Sequence, residues 1–180
     1  MKGGKAGEVT HDRGRFLAVD GSNPQSVISW RWQREVAGLG TLGDLRSHAG
    51  DMAIMMVGPI KNVVANQHTY INQRPLAVHG EGTHFTLRTE GPVGDVTNED
   101  YVGTLVQFEN GAQGSLEVCR VVFGPKCENA FEINGTKGAI SWNFETMNEL
   151  SVYLPDGEGA HDGYTRIYSG PEHPFHANFN

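Results

Sequence analysis

Asp44, His48 and Asp51 are spaced so that one helix would carry all three on the same side. A histidine flanked by carboxylates is a group that can take a proton from a hydroxyl or return one, so a stripe of this kind can line a cleft. The competing reading is structural, since a charged pair at i and i+4 on an exposed helix is a common surface feature worth about 0.2–0.5 kcal/mol. Asp44 also suits the first turn of a helix, where the dipole favours a carboxylate, whereas His48 gains less from that explanation. Just upstream, Trp30-Arg31-Trp32 sets an arginine between two tryptophans. Arg31 is suited to the mouth of a cleft, where a guanidinium can bind substrate oxygens or hold a neighbouring carboxylate. Trp30 is a companion at that mouth, with ordinary packing as its alternative.

The element that must position these groups runs from Gly38 to Gly58. Leu42, Leu45, Ala49, Met52, Ala53 and Met56 fall on one sector of a helix and Asp44, His48 and Asp51 on another. The apolar stripe calls for a flat surface to pack on. Glycines at 38, 40 and 43 crowd the helix start, where backbone must approach something closely or take a positive φ, and Gly58-Pro59 stops the helix.

Most of the remaining chain reads as strands. Gly7 to Val19 has the content of a strand, 21–26 is a loop, and Ile60 to Thr69 is a further strand with Val63, Val64 and Ala65 as its apolar run. Tyr70 to Asn98 is a glycine-punctuated polar stretch, too long for an ordinary connection and suited to a cleft rim or a subunit contact. Alternation over Val102–Phe108 and Ala112–Val118 across Asn110-Gly111 predicts a hairpin with a type I′ turn. A second hairpin is predicted from Phe131 and Ile133 to Ile140 and Trp142, followed by strands over 150–154 and 164–168. One long helix ahead of consecutive hairpins implies an α+β layer, a largely antiparallel open sheet with the helix packed on one face. Tyr153, Phe131 and Trp142 are expected to give the opposite face an apolar surface that needs a partner.

Composition narrows the function. A net charge of −7 argues against nucleic acid as a partner, and no apolar run approaches the roughly 18 residues of a membrane span. The first five residues lack an apolar stretch behind them, so no signal peptide is read and a cytoplasmic protein is expected. Cys119 and Cys127 are expected to be free thiols. Eight histidines are scattered, and the His173/His176 pair is a weak zinc signal, so no metal is expected. No strand followed by Gly-x-Gly-x-x-Gly is found, so nothing in the chain is expected to cradle a dinucleotide pyrophosphate.

The run from Trp30-Arg31-Trp32 through Ala37-Gly38-Leu39-Gly40-Thr41-Leu42-Gly43-Asp44-Leu45 to Ser47-His48 and Asp51 resembles the C-terminal domain of the Gfo/Idh/MocA oxidoreductases. Gly7-Glu8-Val9, Asn98-Glu99-Asp100-Tyr101, the segment 110–115 and Asn134-Gly135-Thr136-Lys137-Gly138 resemble further landmarks of that family, in order. Arg46 departs from it, standing where many members have glycine, and a cation there could change what the cleft accepts.

The resemblance implies a dihydrodipicolinate-reductase-like or GAPDH-like C-terminal domain over residues 1–180, lacking its closing helix, with the Rossmann half upstream. It implies the substrate-binding and oligomerisation part of an NAD(P)-dependent oxidoreductase acting on a sugar, polyol or inositol. NAD or NADP would be bound mainly by the half outside this chain, so the fragment alone is expected to be inactive. His48 would move the hydroxyl proton, Asp44 would orient the substrate or the imidazole, and Arg31 and Trp30 would bind substrate. A homo-oligomer through the open sheet face follows. The alternatives are a non-catalytic scaffold and an NAD-dependent glycoside hydrolase on the same fold.

Overall fold

The structure is a computed structural model that describes residues 4–78, 80, 85–155 and 162–173. An eight-stranded sheet forms its body, built from β1 (Val9–Ala18), β2 (Ile60–His68), β5 (Tyr101–Phe108), β6 (Gln113–Cys119), β7 (Cys127–Gly135), β8 (Ala139–Asn143), β9 (Glu149–Tyr153) and β10 (Thr165–Tyr168). Their order across the sheet is β10-β9-β8-β7-β1-β6-β5-β2. Every neighbouring pair is antiparallel except β1 with β6. The first strand therefore enters the middle of the sheet and joins two antiparallel meanders, β2-β5-β6 and β7-β8-β9-β10.

Helix α2 (Thr41–Met56) lies across β1, β5 and β6. Its stripe packs as the sequence pattern requires. Ala49 meets Val102 and Val118, with Phe16, Leu42 and Leu45 beside them, and Ala53 meets Val106, Phe108, Ala112 and Leu116. A fully buried valine or leucine contributes about 1.5–3 kcal/mol, so these contacts anchor the helix firmly to the sheet. Asp44, His48 and Asp51 face outward and are exposed. Gly58, at φ +127°, ends the helix as expected, with its N–H donating to the Ile54 carbonyl.

The β5–β6 hairpin forms where the alternation puts it, but its turn differs from the expected type I′. Gly111 N donates to Phe108 O and Phe108 N to Ala112 O, which closes a three-residue loop, Glu109 to Gly111, with Gly111 at φ +90°. Asn110 explains the preference for this loop: its Oδ1 accepts from Ala112 N and its Nδ2 donates to Val57 O at the helix end.

The described residues between 70 and 98 are more than a rim. Strands β3 (Gln73–Pro75) and β4 (Val93–Asp95) pair with each other, and backbone bonds from Val27 to Thr86, Ile28 to Pro75 and Arg88 to Gln25 tie the segment to the loop before the helix. The result is a small lobe cored by Ile28, Trp32 and Val96. Arg74 is fully buried in it, stacked 4.4 Å over the Trp32 ring and donating to the carbonyls of Asn23 and Gly21.

The open face is not the apolar surface expected of it. Phe131 is paired with Gly14 and Trp142 with Phe131, and Gly14 is paired with Leu116 under the helix, so both rings lie on the helix-bearing side, stacked 5.9 Å apart. Tyr153 does face the other way. That face carries two cross-strand ion pairs, Arg13–Glu132 and Arg15–Glu128, each at 2.7 Å. Cys119 and Cys127 are free and sit on the two strands that flank β1. No helix among the described residues is long and apolar enough to cross a membrane.

Candidate functional site

A 3-10 turn (Trp30–Trp32) and the short helix α1 (Arg34–Ala37) lead into α2, and this turn brings Trp30 and Arg31 to the outward side of the α2 N-terminus. The Arg31 guanidinium lies 4.4 Å over the Trp30 ring, and its Nε is 3.8 Å from Asp44 Oδ2. Both charged groups are well exposed, so the pair is worth less than about 1 kcal/mol and can exchange for contacts to a ligand hydroxyl at little cost. Trp30, Arg31, Leu39, Gly43, Asp44 and Arg120 line a hollow of about 520 Å³. That size is within the roughly 300–1,000 Å³ of small-molecule sites. Three of the residues singled out by sequence, Trp30, Arg31 and Asp44, thus meet at one mouth. His48 stands one helical turn further along the same side, exposed, with its ring 5.8 Å from that of Phe16.

The helix start is held from behind by Asn98-Glu99-Asp100. Glu99 Oε1 accepts from Gly40 N at 2.8 Å and Leu42 N at 2.9 Å, and its carbonyl accepts from Thr41 N at 3.1 Å. The Thr41 hydroxyl donates to the Asp100 carbonyl. A Cβ on Gly40 would collide with the Glu99 carbonyl oxygen, which is why the residue there is glycine, whereas Gly38 is required by its φ of +75°. Asp100 is fully buried: Oδ2 accepts from the backbone of Tyr70 and Ile71, and Oδ1 from Arg120 Nε at 3.0 Å. Arg120 Nη1 and Asn98 Nδ2 both donate to the Arg31 carbonyl, at 3.1 and 2.8 Å, and Arg120 Nη2 donates to Asn98 Oδ1. Sequence reasoning noticed the Asn98–Asp100 run only as a landmark and passed over Arg120. The available signal was three polar residues directly before a buried strand, a position where side chains must find internal partners.

Gly38, Gly40 and Gly43 do have the spacing of a phosphate-binding loop. A helix rather than a strand precedes them, however, and the Gly40 and Leu42 amides already bind the buried Glu99 carboxylate. A dinucleotide pyrophosphate does not fit there. Arg46 does not reach the hollow either. Its guanidinium folds back against Gly50, half-buried, toward Asp12 on β1. Among the described residues no group of three His, Cys, Asp or Glu is placed to hold a metal ion. His173 Nδ1 accepts from Gly170 N, and His176 lies outside the described residues.

Comparison with known proteins decides the family. Residues 1–141 match the profile of the GFO/IDH/MocA C-terminal domain. The chain belongs to the Gfo/Idh/MocA family. It is 39% identical over 173 residues to levoglucosan dehydrogenase of Pseudarthrobacter phenanthrenivorans, covering 96% of this chain and 44% of that protein. It superposes on a levoglucosan dehydrogenase solved with NADH and L-sorbose at a TM-score of 0.86 and 38% identity, over 95% of this chain and 43% of the other. An NAD binding oxidoreductase from Klebsiella pneumoniae gives a TM-score of 0.86 at 32% identity, over 98% and 44%. This Gfo/Idh/MocA chain therefore spans less than half the length of the relatives it matches, and those relatives are oxidoreductases.

Proposed function

We propose that this chain is the substrate-binding and assembly part of an NAD(P)-dependent dehydrogenase that acts on a sugar, polyol or related hydroxy compound. The observation that carries this reading is the convergence of Trp30, Arg31 and Asp44 on one hollow, with His48 on the next turn of the same helix. Trp30 offers an apolar plate for a ring's C–H face, while Arg31 and Asp44 offer donor and acceptor to neighbouring hydroxyls. His48 accepts the proton of the hydroxyl being oxidised and Asp44 orients that hydroxyl or the imidazole. A nicotinamide, held by a nucleotide-binding half outside these residues, supplies the hydride acceptor when bound. Copies of the chain associate through the open sheet face.

The test uses the full-length protein with NAD and NADP and a panel including levoglucosan, L-sorbose and myo-inositol, reading reduced-cofactor absorbance. His48→Ala should lower kcat by about 10²- to 10⁴-fold while leaving cofactor affinity nearly unchanged. Asp44→Asn, which keeps the shape and removes the charge, should act mainly on substrate KM. Near-normal kcat in His48→Ala at saturating substrate would sink the assignment and leave α2 as a packing element.

A further inference from the structure

Two walls bound the hollow, and they come from different parts of the chain. One is the 3-10 turn carrying Trp30 and Arg31, and the other is the first turn of α2 carrying Asp44. Among the described residues no backbone hydrogen bond joins the 3-10 turn directly to the first turn of α2; each is tied to residues 97–100 instead. Thr97 N donates to Trp32 O and Thr97 Oγ1 accepts from Arg34 N, which fixes the turn and the start of α1. Asn98 and, through Asn98 and Asp100, Arg120 fix the Arg31 carbonyl. Glu99 fixes Gly40 and Leu42, two residues before Asp44. Glu99, Asp100 and Arg120 are all buried, so the bonds these three make are shielded from bulk water, whereas the Arg34–Thr97 bond is exposed.

We infer that Glu99 and Arg120 are positioning residues that set the separation of Arg31 from Asp44, and with it the fit of a polyhydroxylated ligand in the hollow. This rests on the function proposed above. Asp44 and Arg31 cannot set that separation themselves, because their own contact is long and exposed. Glu99 performs its part through one carboxylate oxygen that accepts from two amides, so the acceptor matters more than the charge. Arg120 performs its part through three nitrogens aimed at three different oxygens, those of Asp100, Asn98 and Arg31, which the single ammonium of a lysine cannot replace.

The experiment compares Glu99→Gln, Glu99→Ala and Arg120→Lys in the full-length protein, with levoglucosan as the probe substrate and amide hydrogen exchange as a readout that needs no turnover. Glu99→Gln keeps an acceptor at the same place, so its KM and kcat should remain near the parent values and the Gly40 and Leu42 amides should stay protected. Glu99→Ala removes the acceptor, and exchange at those two amides should accelerate by about 10- to 100-fold, the loss expected for a hydrogen bond to a charged group. Its KM should rise by about tenfold or more with a smaller change in kcat, because misplacement of binding groups is felt first in ligand fit. Arg120→Lys should raise KM in the same way while leaving the Gly40 and Leu42 amides protected. If Glu99→Ala does not fold, Glu99→Gln still decides: a large KM increase in that variant at unchanged thermal stability overturns the inference. So does unchanged KM in folded Glu99→Ala or in Arg120→Lys. Absence of turnover in the parent protein with every compound of the panel would refute the proposed function alone, and the exchange pattern would then decide whether Glu99 clamps the helix.

Discussion

Asp12 is a carboxylate that folding places beneath a helix, 1% exposed on the α2 side of β1, with Oδ2 unpartnered among protein atoms. Burial pushes its pKa up to about 6, and the facing Arg46 offsets part of that rise. An unfolded aspartate titrates near 3.9, so between about pH 4 and 6 the native state holds a proton that the unfolded state has lost. Stability should therefore fall as pH rises through that window and level off above it, by on the order of 2–3 kcal/mol for this group. Asp12→Asn should abolish that contribution, so its advantage over the parent in denaturant unfolding should grow from pH 4 to 6 and stay constant at higher pH. A pH-independent difference would show that the Asp12 carboxyl titrates normally. At this scale the sequence was legible where spacing along one helix decides placement, as with Asp44 and His48, which both lie exposed on α2. Glu99 and Arg120 were not, because Glu99 binds Leu42 across 57 residues and Arg120 binds the Arg31 carbonyl across 89. Arg46 was misplaced for the same kind of reason: its bulk is visible in the sequence, but not that Gly50 lets it fold back toward Asp12.

The glycines at the start of α2 differ in what they do for that element, and substitution should separate them. Gly38→Ala meets open space but forces a side chain into the left-handed region, a cost of about 1–2 kcal/mol. Gly40→Ala drives a Cβ into the Glu99 carbonyl, which is backbone and cannot swing aside, so the helix start or residues 98–100 must move. The stability loss should be about 1–3 kcal/mol, and substrate KM should rise only in this variant, since it alone disturbs the clamp. Thermal unfolding together with kinetics on both variants checks this, and equal KM values would refute it. Elements with strong periodicity were readable from sequence: α2, the β5–β6 hairpin and the β7–β8 hairpin all fall where their patterns put them. The turn type was not, because Asn-Gly serves both a two-residue loop and the three-residue loop found here. The lobe over 70–98 escaped because β3 and β4 are three residues each, too short to show alternation, and pair across a long intervening segment.

The molecule as a whole presents one covered and one uncovered sheet face, and the uncovered face is the surface proposed for assembly. Its centre is charged, yet Arg13 pairs with Glu132 and Arg15 with Glu128 within the chain. The Arg15 contact holds the Glu128 carboxyl below the usual range, so this pair stays ionised and matched well into mild acid. Burying these two pairs strands no unpaired charge, which is the condition that usually forbids burying one, although Glu117, beside Arg15 on the same face, forms no ion pair among the described residues. Toward the β2 edge the face becomes apolar, where Val64 and Leu105 are directly paired across β2 and β5 and are 72% and 66% exposed. A second copy laid face to face would remove that pair from water and meet neutralised charge at the two ion pairs. The protein should then run above its monomer mass in light scattering at tens of micromolar, a range in which about 1 μM affinity corresponds to roughly 8 kcal/mol. Leu105→Lys places an unmatched cation in the contact and should return the protein to monomer with little change in thermal stability of the fold. Ile54→Lys, a half-exposed apolar site on the helix side, should leave the assembly intact and serves as the control. A monomeric parent at these concentrations, or dissociation by Ile54→Lys rather than Leu105→Lys, would move the contact off the open face.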